Sequence, residues 1–155
     1  MSDTTPQQLA QQISITRVFD APRELVFRAW IDPDHVARWF GPAGFDTPRE
    51  GVEIEPRIGG RYHLRMVDPG SGAEHQIRYE IVELVEPELL VLKSEPMPEA
   101  GLHHSTLARI ELTDTAGRTH LKLTDGPYPE AGGRHAAAGW ENAFDELAAL
   151  VEPSG

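Results

Sequence analysis

The chain has 155 residues, of which 39% are hydrophobic and 25% charged, and it contains no cysteine. Asp plus Glu number 25 against 14 Lys plus Arg, a formal charge of −11, with no basic cluster able to track a phosphate backbone and no run of ~18 apolar residues to span a bilayer. These figures exclude disulfides, thiol catalysis, cysteine-bound zinc, nucleic acid and anionic membrane, and they set the expectation of one cytoplasmic domain burying roughly 68–70% of its unfolded surface.

Met1 to Gln8 is polar, with neither a basic start nor an apolar core, so residues 1–11 read as a flexible segment and not as a signal peptide. Ile13 and Ile15 alternate with Ser14 and Thr16, which predicts a strand ending near Phe19. Asp20-Ala21-Pro22 predicts a helix start, because a proline there lacks only an N–H that would have no partner. Leu25, Val26, Ala29 and Trp30 are its expected buried face. Asp32-Pro33 predicts a second short helix, with Asp32 as N-cap and Gly41-Pro42 as its stop.

From Phe45 onward the period is two. Val52 and Ile54, then Tyr62, Leu64 and Met66, then Ile77, Tyr79 and Ile81, then Leu90 and Leu92 each mark a strand. Gly59-Gly60, Asp68 to Gly72 and Glu86-Pro87-Glu88 supply the turns between them. A loop from Glu95 to Gly101 leads to Thr106, Ala108, Ile110 and Leu112, and Thr115-Ala116-Gly117 closes a hairpin to Leu121 and Leu123. Apolar residues at alternate positions mean one buried and one wet face, as in an antiparallel sheet.

Gly133 to Glu152 reads as an amphipathic helix, with Ala137, Trp140, Phe144, Leu147 and Val151 on one face and Ala136 and Gly139 allowing close approach. About 20 residues at ~1.5 Å rise reach roughly 30 Å, the width of about seven strands spaced ~4.8 Å apart, so one helix can cross a whole sheet. The order of elements predicts an α+β domain over residues 12–152 with a tail at 153–155: a curved antiparallel sheet of six or seven strands, two short helices after the first strand, and a long C-terminal helix.

Arg17-Val18-Phe19-Asp20-Ala21-Pro22, Val26-Phe27-Arg28-Ala29-Trp30, Asp32-Pro33, Trp39-Phe40-Gly41-Pro42, Gly59-Gly60-Arg61-Tyr62 and Gly139-Trp140-Glu141-Asn142 occur in that order. The ordered set resembles the family named after the activator of the heat-shock-90 ATPase, from about Ile13 to Val151. That family belongs to the SRPBCC superfamily, with START lipid-transfer domains, birch-pollen-type allergens and polyketide cyclases. The resemblance implies a helix-grip fold with a hydrophobic cavity between sheet and long helix, and stress response as the associated process. The eukaryotic co-chaperone has an additional N-terminal domain for which this chain has no room, so direct stimulation of the chaperone ATPase is not expected.

Fold alone does not define activity, so the side chains must be read for chemistry. Trp39, Phe40, Tyr62, Met66, Tyr79, Leu92, Trp140 and Phe144 fall on inward positions near the expected cavity, where they either line a pocket or pack as core. Parity places Thr106 and His104 on the inward face with Ala108 and Ile110, able to orient a polar ligand head or, for His104, to act as general base. The plainer alternative is that parity fails near the strand end and both reach solvent. Asp125 shares parity with Leu121 and Leu123 and could face His104, raising its pKa.

Other chemistries find little support. His35, His63, His75, His103, His104, His120 and His135 show no chelating spacing, Ser94 and Ser105 lack a nucleophile elbow, and no helix follows Gly59-Gly60 to cradle phosphate. No metal and no cofactor is expected. The expected partner is a small apolar or aromatic ligand, with a protein partner or a homodimer as further options. The leading expectation is thus a hydrophobic-ligand-binding protein. Two alternatives stand beside it: a cyclase, dehydratase or hydrolase using His104 with a Tyr or Asp, and a co-chaperone-like interaction module.

Overall fold

The alternating segments form strands β1 (Gln11–Phe19), β2 (Glu53–Ile54), β3 (Arg61–Val67), β4 (Glu74–Val85), β5 (Leu89–Ser94), β6 (Leu107–Thr115) and β7 (Arg118–Tyr128). Helices α1 (Arg23–Ile31) and α2 (Pro33–Trp39) follow β1, and α3 (Glu130–Val151) ends the chain. The computed structural model describes residues 11–40, 46–96, 104–128 and 130–153. Residues 1–10 of the expected flexible segment 1–11, the Gly41-Pro42 stop, Phe45, most of the loop to Gly101, and His103 lie outside the described residues, and Gln11 opens β1.

All seven strands join one antiparallel sheet in the order β1-β7-β6-β5-β4-β3-β2. Chain neighbours pair throughout, except that β1 closes onto the last strand. That one long-range pairing brings the N-terminal strand beside the strand that leads into α3, so Ile13 and Ile15 share the core with Leu123. Side chains on the inner face are apolar and buried, among them Tyr62, Leu64, Ile81, Leu92, Ala108, Ile110 and Leu121. The outer face carries Arg61, His63, Glu80, Glu111 and Lys122, as the period of two requires.

The short helices follow their caps. Asp32 accepts a hydrogen bond from the Asp34 backbone N–H at 2.9 Å and Pro33 opens α2, while Pro22 sits just ahead of α1 in extended geometry. One expectation is corrected. Leu25 is 39% exposed, and Phe27, at 1%, takes its place beside Val26, Ala29 and Trp30. Residues two apart on a helix point about 200° apart, so a one-sided helix cannot bury both Leu25 and Phe27.

The long helix starts at Glu130, three residues before Gly133, and buries Trp140, Ala143, Phe144, Leu147 and Val151. Its main packing is against β1, β7 and both short helices, and α1 in turn covers β6 and β7. The expected close approach at Gly139 is absent, since a Cβ placed there meets nothing within 4 Å. Gly139→Ala should therefore raise stability by about 1 kcal/mol through helix propensity alone. A lower urea midpoint for the variant would mean that the position is crowded after all.

Candidate functional site

Register places Asp125 in a row that is otherwise apolar: Ile13 on β1, Asp125 on β7, Ala108 on β6, Leu92 on β5 and Ile81 on β4. Its side chain is fully buried, at 0% exposure. Ala108 beside it is small and also fully buried. Burying a carboxylate is expensive unless hydrogen bonds replace its water. Here they replace only part of it.

One oxygen, Oδ2, accepts two hydrogen bonds, from the Tyr128 hydroxyl at 2.7 Å and from Trp140 Nε1 at 2.9 Å. The other, Oδ1, is buried and has no partner. Tyr128 lies three residues beyond Asp125, where strict alternation would turn it outward. A register irregularity opposite Gln11 and Ile13 returns it to the inner side. Gly126, with φ 148°, supplies the backbone conformation between them. Trp140 arrives from α3, so one carboxylate ties the end of the sheet to the long helix.

Burial pushes the Asp125 carboxyl above its ordinary value, and the hydrogen bonds from Trp140 and Tyr128, with the Gly126 amide, pull it part of the way back. Tyr128 is raised by burial and by the Asp125 charge, and Tyr79 likewise. Both tyrosines are thus neutral donors across the ordinary pH range. Beside them Ser94 and Thr106 satisfy each other, hydroxyl to hydroxyl at 2.6 Å, and the Thr106 backbone N–H donates to Ser94 Oγ at 3.1 Å. Cross-strand pairing sets Ser94 next to Tyr79 on the same face.

A raised carboxyl has a consequence for stability. The folded state holds the proton more tightly than the unfolded chain, so Asp125 contributes most below its unfolded pKa and its contribution is lost as pH rises through the folded value. Asn at this position keeps an oxygen acceptor for Trp140 and Tyr128 but never ionises. The stability of Asp125→Asn relative to the parent should therefore rise as pH increases from about 4, reaching a plateau above the folded pKa. Asp34, held low by its hydrogen bond with Arg49, and Glu55, held low by the Arg61 backbone, act with the opposite sign and cancel in this difference. Urea midpoints across pH would show the trend. A difference that falls with pH would mean the carboxylate is net stabilised.

An aromatic wall backs the carboxylate. Trp30 is fully buried, with ring centroids 4.7 Å from Trp39, 5.9 Å from Trp140 and 6.2 Å from Phe144. Phe40 stands edge-on to Trp140 at 5.6 Å. Trp30 Nε1 is a second buried polar atom without a partner. Five inward side chains around Asp125 keep residual accessibility, namely Phe40 and Tyr79 at 8%, Ser94 at 8%, Tyr128 at 9% and Trp140 at 7%. Trp30, Trp39, Tyr62 and Phe144, at 0–1%, have essentially none.

The residues expected at the site divide accordingly. Phe40, Tyr79, Thr106 and Trp140 come together around Asp125. Trp39 is turned into α1, with its Nε1 donating to the Ala29 carbonyl at 2.8 Å, and Tyr62 donates its hydroxyl to the Trp30 carbonyl. Phe144 packs against Phe19 and Trp140, and Leu92 lies one strand beyond Ala108. Met66 is half-buried at the far end of β3, paired with His75.

The expected pairing of His104 with Asp125 is not formed. β6 begins at Leu107, the chain bends at His104, and strand parity does not reach it. His104 Nε2 lies 3.3 Å from the Pro127 carbonyl, a contact an N–H would satisfy, while Asp125 is taken by Tyr128 and Trp140. Tyr128 and Ser94 were not among the expected site residues. Alternation alone gives no sign of Tyr128, whereas Ser94 shares parity with Leu90 and Leu92. Among the described residues no group of three or more acidic or histidine side chains could hold a metal ion. No helix among them is long and apolar enough to cross a membrane.

A curved antiparallel sheet with a long C-terminal helix packed on its inner face defines an α+β protein of helix-grip type. The chain belongs to the family described as Activator of Hsp90 ATPase homolog 1-like protein, which matches residues 20–152 and lies within the SRPBCC superfamily. A crystal structure of a protein from Chromobacterium violaceum is similar at 31% identity and a TM-score of 0.83, covering 92% of this chain and 98% of that one. A crystal structure of a protein of the same family name from Silicibacter pomeroyi is 17% identical, with a TM-score of 0.78 and coverage of 90% and 96%. A solution structure of a protein like that family from Aeromonas hydrophila is 22% identical, with a TM-score of 0.74 and coverage of 89% and 90%. The last two likenesses bear on the fold alone. None of the curated proteins matches the chain.

Proposed function

We propose that the protein binds a small, mostly apolar molecule between the inner sheet face and α3, with the polar end of that molecule at Asp125. The observation that carries this reading is the Asp125 carboxylate: fully buried, saturated at one oxygen and unpartnered at the other, under an aromatic wall. A folded protein that needed the carboxylate only as a tie would gain from satisfying both oxygens. Ligand sites commonly combine aromatic lining with a few placed polar groups, which is the composition found here. The cytoplasm is the compartment proposed for this activity.

The interaction-module reading draws less support. The exposed apolar residues Val18, Val85 and Leu107 stand on the outer sheet face, with Arg109, Glu111, His120 and Lys122 between them, and Leu25 and Ile58 lie elsewhere. Together they form no continuous apolar patch among the described residues. The acid–base reading loses its expected His104–Asp125 pair.

Binding is tested by titrating an environment-sensitive apolar dye and following tryptophan emission, with native mass spectrometry of freshly purified protein for a co-purifying compound. The expected result is saturable quenching or a shift of tryptophan emission, diminished in Trp140→Phe. If no apolar probe binds and no compound co-purifies, the binding reading fails.

A further inference from the structure

We propose that the molecule held beneath α3 is a protonated amine on a short aromatic or apolar group, its N–H donating to Asp125 Oδ1. The inference rests on the binding reading above and adds the sign of charge and the donor chemistry that the site selects.

The local inventory of donors and acceptors points one way. Tyr128 and Trp140 have already given their hydrogens to Oδ2, and Ser94 and Thr106 are engaged with each other. What remains open on the carboxylate itself is an acceptor, Oδ1, with the Tyr79 hydroxyl as a neutral group that can donate or accept beside it. Trp30 Nε1 is also unpartnered, but it is a single neutral donor and cannot reverse the sign of a site built around a carboxylate. A ligand carboxylate would meet Asp125 with like charge in a poorly hydrated setting, where repulsion is strongest.

Charge balance agrees. Among the described residues no cationic side chain pairs with Asp125, so none of them compensates its charge. A buried carboxylate gains most from a partner that both neutralises it and hydrogen-bonds to it. An ammonium does both. A hydrated metal ion needs several oxygen ligands, and the other polar groups here are neutral hydroxyls.

The walls suit the same ligand. Trp140, Phe40, Tyr79 and Tyr128 are the inward aromatics that retain accessibility near the carboxylate, and aromatic faces attract a desolvated cation. A chain with a formal charge of −11 also draws cations toward it from solution.

The test uses three probes of matched shape on the full chain near pH 7: 2-phenylethylamine, 2-phenylethanol and 3-phenylpropionate. Calorimetry or tryptophan emission gives the affinities. The amine should bind at least about tenfold more tightly than the alcohol, and the acid more weakly than either. In Asp125→Asn the preference for amine over alcohol should disappear, the two probes being compared within the same variant. Equal binding of amine and alcohol, or preference for the acid, overturns the amine assignment and leaves apolar binding standing. Failure of all three probes together with the apolar dye overturns the binding reading itself. The comparison of probes in the parent protein needs no variant, so it decides the matter even if Asp125→Asn folds poorly.

Discussion

Truncating Phe144 to alanine will lower the unfolding free energy by about 3–5 kcal/mol, the range for removing a large aromatic from a packed core. Phe144 is fully buried on the inner face of α3, with ring centroids 6.2 Å from both Phe19 and Trp30 and 5.8 Å from Trp140. Edge-on and tilted pairs of this kind add about 0.5–1.5 kcal/mol each beyond the area they bury. Phe144 joins β1, α1 and α3, and no single neighbour can relax into the void without leaving the others. For a domain stable by about 5–15 kcal/mol this is a large fraction. The thermal midpoint should fall by roughly 6–20 °C. Phe144→Leu, which keeps much of the volume, should lose less than half as much. A midpoint within about 2 °C of the parent would remove Phe144 from the shared core.

Gly60→Ala will be the most damaging change in the β2–β3 turn, at about 3 kcal/mol. A Cβ on Gly60 would stand 2.1 Å from the Glu55 carbonyl oxygen and 2.9 Å from that of Arg57. Both are backbone atoms and cannot rotate away. The Gly60 N–H donates to Arg57 at 2.9 Å, and Gly59 and Gly60 exchange bonds with Ile81 at 2.7 and 2.9 Å, so opening the turn also releases β4. The neighbouring Gly59 provides the contrast. It needs φ +85° but has nothing within 4 Å, so Gly59→Ala carries only the left-handed strain of about 1–2 kcal/mol. The turn also sets Tyr62, whose hydroxyl satisfies the Trp30 carbonyl, so part of the loss should appear as altered tryptophan emission. Urea denaturation of the two variants side by side makes the comparison. If Gly60→Ala is no worse than Gly59→Ala, the backbone contact is not limiting.

The two variants probe the part of the protein that was most legible before folding is considered. Local periodicity predicted all seven strands and three helices, because each element repeats its own pattern over a few residues. Asp32 as N-cap and the inward set Trp140, Phe144, Leu147 and Val151 are properties of a single helix and survive in any packing. The family resemblance added the arrangement of these elements. Parity along β7 placed Asp125 inward with Leu121 and Leu123.

What surrounds Asp125 was beyond such reading. Parity extended to His104 suggested a histidine partner, but parity holds only within a strand and β6 starts three residues later. The actual partners are Tyr128, turned inward by an irregularity in pairing with β1, and Trp140, carried in by α3. The first depends on register between strands more than a hundred residues apart in the chain. The second depends on where a long helix lands on a coiled sheet. The same dependence explains why Phe27 replaces Leu25 in the core. Residue type and spacing alone therefore determined the secondary structure, the buried face of each strand, and an inward-facing acid. Tertiary packing decided which groups meet that acid, because contacts between elements follow from register, twist and docking angle, and none of these is written in a local repeat.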